Sequence, residues 1–491
     1  MERNSTAVPN RTPNRWEGRR RATARAIHLT MKRGLAALSA AAMLAATFPA
    51  TAQDSGGGGR TAIIRDAEIE ALIQDYARPI FAAANIRAQA IEIFVVPDPT
   101  FNAFVATPRS MFINAGALLD ARTPNEMIGV IAHETGHLAG AHLVRMQQMI
   151  RDVSIASLIA GAIAMGAMVG AAQAGHSEIA SGSQGVLAGI GEAAKRDILS
   201  AARSIETEAD RSAITYLEKT QQSAAGMLTV FTRLADDSLL LARDANPYLL
   251  SHPLPRERIA LLENLVTKSK YYGKKDPADL QRRHDMMRAK LSGFFETRQR
   301  VAQRYPATNT SLPARYARAI IAYRFDGVQR ATPLIDALIQ SEPNNPYFWE
   351  LKGQTFLEGG RPREALAPLR KAVALGSAQK AQTGLLRILL GQALVDSGDP
   401  SLTDEAIKHL SIGLLADPAM SAGYRTLARA YGARGDIGQA QLAAAQGLLA
   451  DGKVDEAKVQ AKRAQAKLKV GTPAWLRADD IVAYKPPPKR S

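Results

Sequence analysis

Thr123-Pro124-Asn125-Glu126-Met127-Ile128-Gly129-Val130-Ile131-Ala132-His133-Glu134-Thr135-Gly136-His137 is the stretch from which the rest of the chain can be read. Thr123 is an N-cap residue, Pro124 takes the first helical position and Glu126 stands three residues after the cap, as in a capping box. The sequence therefore predicts a helix from here to about Met149. Within it His133 and His137 are four positions apart, about 40° around the axis, so both imidazoles leave one face a turn apart. That spacing suits two ligands of one tetrahedral zinc ion. Glu134 lies about 100° away. A carboxylate there sits beside a metal rather than on it, where it can take a proton from water and hand it to a leaving amine. Met127, Ile128, Val130, Ile131 and Leu138 supply an apolar bed for the helix.

The chain contains no cysteine, which removes thiol catalysis and thiolate metal sites, so any metal is held by His and carboxylate. His142 stands about 140° round the helix from His137 if the helix continues. It is read as a packed or supporting histidine rather than a ligand. Glu206 and Asp210, in Ile205-Glu206-Thr207-Glu208-Ala209-Asp210, share a helix face, with Glu208 roughly opposite. Glu206 then completes a His133, His137, Glu206 set for one Zn2+ per chain, and Asp210 can orient a ligand imidazole.

At 491 residues two or three domains are expected, and an aromatic content of 5% in an aliphatic, Ala-rich chain favours helices. The fold class read here is mainly α (α+β): a helical metallopeptidase domain with a small β-sheet, followed by an α-solenoid of tetratricopeptide-like repeats. Residues 1–52 read as a leader and signal peptide, with Met31 an alternative true start: Lys32-Arg33, an apolar run from Leu35 to Phe48, and Ala50-Thr51-Ala52 before cleavage at Gln53. A Gly-rich linker (53–60), the metallopeptidase domain (61–300), the repeat domain (310–465) and a tail (466–491), unstructured from Tyr484, follow. Secretion places the chain in the periplasm. Within the first domain a helix is predicted over 61–88, a strand over Ile91–Val96, one extended stretch over Phe101–Ile113, and a charged helix over 195–220. The uncharged run 153–174 and the patch 185–190 read as a hydrophobic hairpin, giving peripheral membrane contact through 153–190 rather than a span.

Formal charge is +16, of which the first 33 residues carry +7 (nine Lys/Arg, two Asp/Glu). The remaining +9 forms no aromatic-interleaved stripe, which reads against nucleic acid binding. Beyond 310, Trp349, Gly353, Phe356, Ala365, Leu369 and Ala372 reproduce the small/large spacing of a tetratricopeptide repeat. Gly391, Leu394, Ala406 and Leu410 make a second unit, and Tyr424, Ala428, Tyr431, Ala440 and Ala444 a third. Stacked units of this kind offer a concave binding surface.

HETGH at 133–137, ETEAD at 206–210 and SHPLPRERI at 251–259 together resemble the gluzincin-type metallopeptidases that include the heat-shock membrane protease and the CAAX prenyl protease. With its signal peptide and trailing repeats, the chain is most similar to the periplasmic branch that assists outer-membrane beta-barrel assembly. The resemblance implies Glu206 as ligand and Asp210 as its support. It implies that Asn102-Ala103-Phe104 is an edge strand beside the cleft, to which substrate adds as a further strand. His252 matches a residue that can occupy the metal's open position and silence the enzyme, and Arg258 matches the basic residue after it. The expected function is a zinc endopeptidase of the bacterial cell envelope that degrades misfolded or stalled envelope and outer-membrane proteins. The repeats would recruit protein substrates or the outer-membrane assembly machinery. The alternative is a chaperone or scaffold for outer-membrane assembly with little proteolysis, and an intact Glu134 favours the enzyme.

Overall fold

Asp66 caps the first described helix: its Oδ1 accepts from the backbone N–H groups of Glu68 and Ile69 at the start of α1, Ala67–Ala83. The computed structural model describes residues 62–152, 192–240 and 246–486. The leader and signal peptide, the Gly-rich linker and the hydrophobic stretch 153–190 lie outside the described residues. Helix α1 is shorter than the 61–88 predicted. Before it the chain is extended, with Ile64 N–H donating to Val95 O at 2.7 Å, and after it Asn85 turns left-handed at φ 59°. Strand β1 (Glu92–Val96) runs parallel to β3 (Ser110–Asn114), which pairs antiparallel with β2 (Ala103–Thr107), in the order β1-β3-β2. The extended stretch predicted over 101–113 is therefore a hairpin, turning at Pro108-Arg109.

A short helix α2 (Ala115–Asp120) leads to α3, Pro124–Ala139. Thr123 caps α3 through its hydroxyl, which accepts from Glu126 N–H at 3.3 Å. The predicted continuation to Met149 does not occur. Gly140 and Ala141, the latter at φ 49°, turn the chain before α4 (His142–Asp152) begins in a new direction. Helices α5 (Glu192–Lys219) and α6 (Ala225–Leu240) lie against α3. Two glycines seven residues apart on α3 permit this approach. A Cβ on Gly129 would stand 2.6 Å from the Met227 Cβ, and one on Gly136 would stand 2.8 Å from Ala209 O. Helices α7 (Pro247–Ser251), α8 (Arg256–Thr267) and α9 (Ala278–Phe295) complete a single apolar core that runs from Ile64 to Leu291.

After α10 (Arg298–Arg304) the chain is a succession of helix pairs. These are α11/α12 (Leu312–Asp326, Val328–Ser341), α13/α14 (Pro346–Glu358, Pro362–Ala378), α15/α16 (Gly384–Asp396, Thr403–Ala416), α17/α18 (Ser421–Ala433, Ile437–Ala450) and α19/α20 (Val454–Gln465, Pro473–Ala483). A Cβ on Gly353 would lie 2.4 Å from the Leu369 side chain, and one on Gly391 would lie 2.4 Å from Leu410, so two units use one small-to-large contact within the pair. The three units read from the sequence are the middle pairs of the five. The tail expected over 466–491 is corrected in its first part: Ala474, Ala478 and Ile481 of α20 are buried with Ala457 and Ala461. No described helix is long and apolar enough to cross a membrane.

The helix pairs are joined to the first core by buried charge. Lys290 Nζ on α9 lies 2.7 Å from Asp66 Oδ2, 3.2 Å from Glu68 Oε2 and 3.5 Å from Glu350 Oε2 on α13. Tyr316 on α11 donates to Glu68 Oε2 at 3.0 Å. Arg65 pairs with Glu70 at 2.8 Å and with Asp417 after α16. One ammonium thus serves three carboxylates, and Glu350 is the farthest. Burial raises the Glu350 carboxyl, Lys290 offsets part of this, and Asp66 and Glu68 raise it further, to about 7. The folded carboxyl therefore holds its proton more tightly than the unfolded one, so its stabilising contribution is complete below about pH 4.5 and is lost as pH rises towards about 7. Glu350→Gln is expected to remove this slope. Denaturant unfolding at pH 4.5, 5.5 and 7 should show the variant gaining on the wild type as pH rises, and parallel curves would contradict the assignment.

Candidate metal centre

Helix α3 presents His133 and His137 on one face, α5 presents Glu206 and Asp210, and the segment after α7 brings in His252. His133 Nε2 and His137 Nε2 are 3.1 Å apart. Glu206 Oε2 lies 3.4 Å from His133 Nε2, and its Oε1 lies 3.4 Å from His137 Nε2. His252 Nδ1 is 3.4 Å from His133 Nε2 and 3.1 Å from Glu206 Oε1. These four residues are buried, and one donor atom from each lies within 4.8 Å of the others, so the group could hold a metal ion. The approach at Gly136 explains the convergence. Ala209, the residue it touches, stands between Glu206 and Asp210, which reach the histidines from either side of the contact.

Asp210 Oδ1 is 2.9 Å from His133 Nδ1, the ring nitrogen turned away from the other donors, and fixes the ring from behind. Arg258 binds both acidic residues: its Nε and Nη2 donate to Asp210 at 2.7 and 2.9 Å, and its Nη1 lies 2.8 Å from Glu206 Oε2. A guanidinium has no lone pair to offer a metal, so Arg258 serves the site as a counter-ion to Glu206 and Asp210. Burial disfavours charge on His133, but hydrogen bonds to Asp210 and Glu206 outweigh it and lift the ring to about 9. Burial works against the Glu206 charge too, yet His252, His137 and His133 hold its carboxyl well below the usual range. Burial pushes His137 well below its ordinary value, which leaves a lone pair free. The site attracts positive charge, and a divalent ion answers it as well as a proton does.

Glu134 points into the same space. Among the described residues both its carboxylate oxygens are buried without a hydrogen-bond partner, and Oε1 is 3.5 Å from His252 Nε2. Burial raises its carboxyl, which favours a group that accepts and releases a proton. His142 lies outside the cluster. The break at Gly140-Ala141 turns its Nδ1 to within 3.1 Å of His137 Nδ1, while Nε2 is 3.5 Å from Glu208. Asn102, just before β2, and Ala103 and Phe104 at its start are buried at the edge of the sheet beside α3, and both side-chain polar atoms of Asn102 lack partners among the described residues. Two aromatic residues went unread in the sequence. Phe231 packs edge-on against His133 at 5.3 Å with Arg258 over its other side at 5.5 Å, and Tyr248 lies 4.6 Å from the His252 ring. The one signal for Tyr248 was its position four residues before His252, a helical turn away.

Paired imidazoles on one helix, a carboxylate from a second and an unpaired acid beside them define a metallopeptidase. Residues 64–266 match the family described as Peptidase family M48. Along more of its length the chain is similar to beta-barrel assembly-enhancing proteases. It is 25% identical to the Yersinia pestis protein over 437 residues, 85% of this chain and 83% of the relative. It is 24% identical to that of Escherichia coli strain K12 over 399 residues, 79% and 77% of the two chains. A Vibrio cholerae relative is 25% identical over 307 residues, 58% of each chain.

Gly136→Ala tests the convergence. Its Cβ would stand 2.8 Å from Ala209 O and must push α5 and Glu206 outward. The expected outcome is a loss of about 1–3 kcal/mol in stability and roughly 10-fold or more in metal affinity, read by denaturant unfolding and by metal analysis after dialysis. Wild-type metal retention in the variant would contradict it.

Proposed function

We propose that this chain is a zinc endopeptidase of the bacterial envelope that cleaves misfolded or stalled outer-membrane proteins. The observation that carries the reading is the spacing of the donor atoms. Bonds of about 2.0–2.1 Å to a tetrahedral zinc ion set the donors roughly 3.3 Å apart. His133 Nε2 lies 3.1 Å from His137 Nε2 and 3.4 Å from His252 Nδ1, and Glu206 reaches His133 through Oε2 at 3.4 Å and His137 and His252 through Oε1 at 3.4 and 3.1 Å, with one donor from each residue within 4.8 Å of the others. Two imidazoles and a carboxylate suit zinc, with His133, His137 and Glu206 as its permanent ligands.

The bound ion supplies Lewis acidity to the peptide carbonyl and to water. The rest is the work of side chains. Glu134 takes the water's proton and delivers it to the leaving nitrogen. Asp210 holds His133 in one orientation, His142 does the same for His137, and Arg258 keeps both acids in place. His252 occupies the fourth position and leaves before substrate enters. The free edge of β2, with Asn102 at its start, receives the substrate backbone as an added strand. The helix pairs, read as tetratricopeptide-like repeats, recruit the substrate or the outer-membrane assembly machinery, in keeping with the names of the relatives and with a periplasmic location.

Glu134→Gln is expected to keep one zinc per chain and to lose casein cleavage by about 10²–10⁴-fold. Equal cleavage by the variant removes Glu134 from this role, and a zinc-loaded wild type that leaves casein uncut rejects the enzymatic reading in favour of a scaffold. His252→Ala should retain zinc and cleave casein faster than the wild type, and unchanged cleavage removes His252 from the regulatory role.

A further inference from the structure

Tyr248 stands on α7, one turn before His252, whose backbone N–H donates to Tyr248 O at 2.8 Å. Its side chain is fully buried, yet its hydroxyl has no hydrogen-bond partner among the described residues. Such a group is disfavoured in a protein interior, because its bonds to water are surrendered without replacement. A phenylalanine would fill the same space without that penalty. The ring is held from three sides: Phe101 edge-on at 5.6 Å, Phe231 at 5.8 Å, and the His252 imidazole at 4.6 Å and 31°. The hydroxyl lies in the field of the site itself, with Glu134 first among the charges acting on it, followed by Arg258, Glu206 and Asp210. Glu134 likewise has two buried oxygens without partners. An unused donor and unused acceptors therefore flank His252, on which both border.

We propose that the Tyr248 hydroxyl is a catalytic hydrogen-bond donor, directed at the oxygen that takes the place of His252 when substrate binds: the carbonyl oxygen of the scissile peptide. The inference rests on the reading that His252 is displaced. With His252 in place the near-parallel imidazole covers the phenol, and the donor has nothing to serve. Once the imidazole leaves, the carbonyl oxygen enters beside a neutral O–H that keeps its proton at neutral pH. As water adds to the carbonyl carbon, the carbon–oxygen π bond becomes a lone pair on that oxygen, and Glu134 receives the water's proton. The O–H of Tyr248 then donates to a fuller negative charge than in the ground state, and only an interaction that strengthens in this way accelerates the chemical step. The proton stays on Tyr248 throughout. Its missing partner in the free protein is thus the expected state of a donor meant for the transition state.

The test is Tyr248→Phe in the zinc-loaded full chain, beside Glu134→Gln. The expected result is a fall in kcat of about 10²-fold with KM changed less than about 3-fold. Affinity for a phosphinic peptide, whose tetrahedral oxygen imitates the adduct, should fall by a similar factor in calorimetry, while zinc content stays at one per chain. Thermal stability should rise, because the substitution removes a buried polar group without a partner. A variant that is more stable but has wild-type kcat and phosphinic peptide affinity overturns the proposal, and so does one that loses zinc or folding along with activity. If Tyr248→Phe is fully active while Glu134→Gln is inert, the peptidase reading stands and the role of Tyr248 falls alone.

Discussion

The contact between Gly136 and the backbone of Ala209 is the constraint on which the site depends. Helices α3 and α5 meet with no side chain between them at this point, closer than any residue but glycine allows. Glu206 lies one turn before the contact and Asp210 one residue after it. The first can thereby face the inner nitrogens of both histidines and the second the outer nitrogen of one. A wider crossing would leave two carboxylates buried and short of their partners, which costs several kcal/mol. Arg258 closes the balance. It neutralises one of the two negative charges and leaves the other for a cation, so the electrostatics and the packing of the two helices describe the same site.

His252 belongs to this network in a different way. Its imidazole meets the metal donors, but its chain is tied to the supporting charges, since Arg258 Nη1 donates to Pro253 O at 2.9 Å as well as reaching Glu206. The removable group and the permanent one share an anchor. If His252 is displaced as proposed, movement of its loop would pass through this shared anchor to Glu206.

The helix bearing His133 and His137 was legible because each local cue agrees: Thr123 as cap, Pro124 at the first position, and apolar residues at helical spacing. Glu206 and Asp210 followed from helix-face arithmetic, which needs no knowledge of packing. The end of α3 was read past although Gly140 offered a C-cap, because the left-handed turn itself falls on Ala141, a conformation alanine rarely takes. The β2–β3 hairpin was merged into one extended stretch although Pro108-Arg109 marked its turn. Three of the five helix pairs were read as units, and only α13/α14 and α15/α16 among them carry the glycine-to-leucine contact. Lys290 carried no local signal at all, since its partners lie more than two hundred residues before it and sixty after it.

That separation bears on how the molecule is made. Asp66 and Glu68 emerge from the ribosome early and must await Lys290 for their cation, while Arg65 waits longer still for Asp417. Because Ile64 is bonded to the strand next to Arg65, the first segment of the catalytic half is finished by residues from the last quarter of the polypeptide. Synthesis order and assembly order thus run in opposite senses here, and a ribosome stalled before residue 417 holds a hydrolase whose opening strand has yet to be fastened.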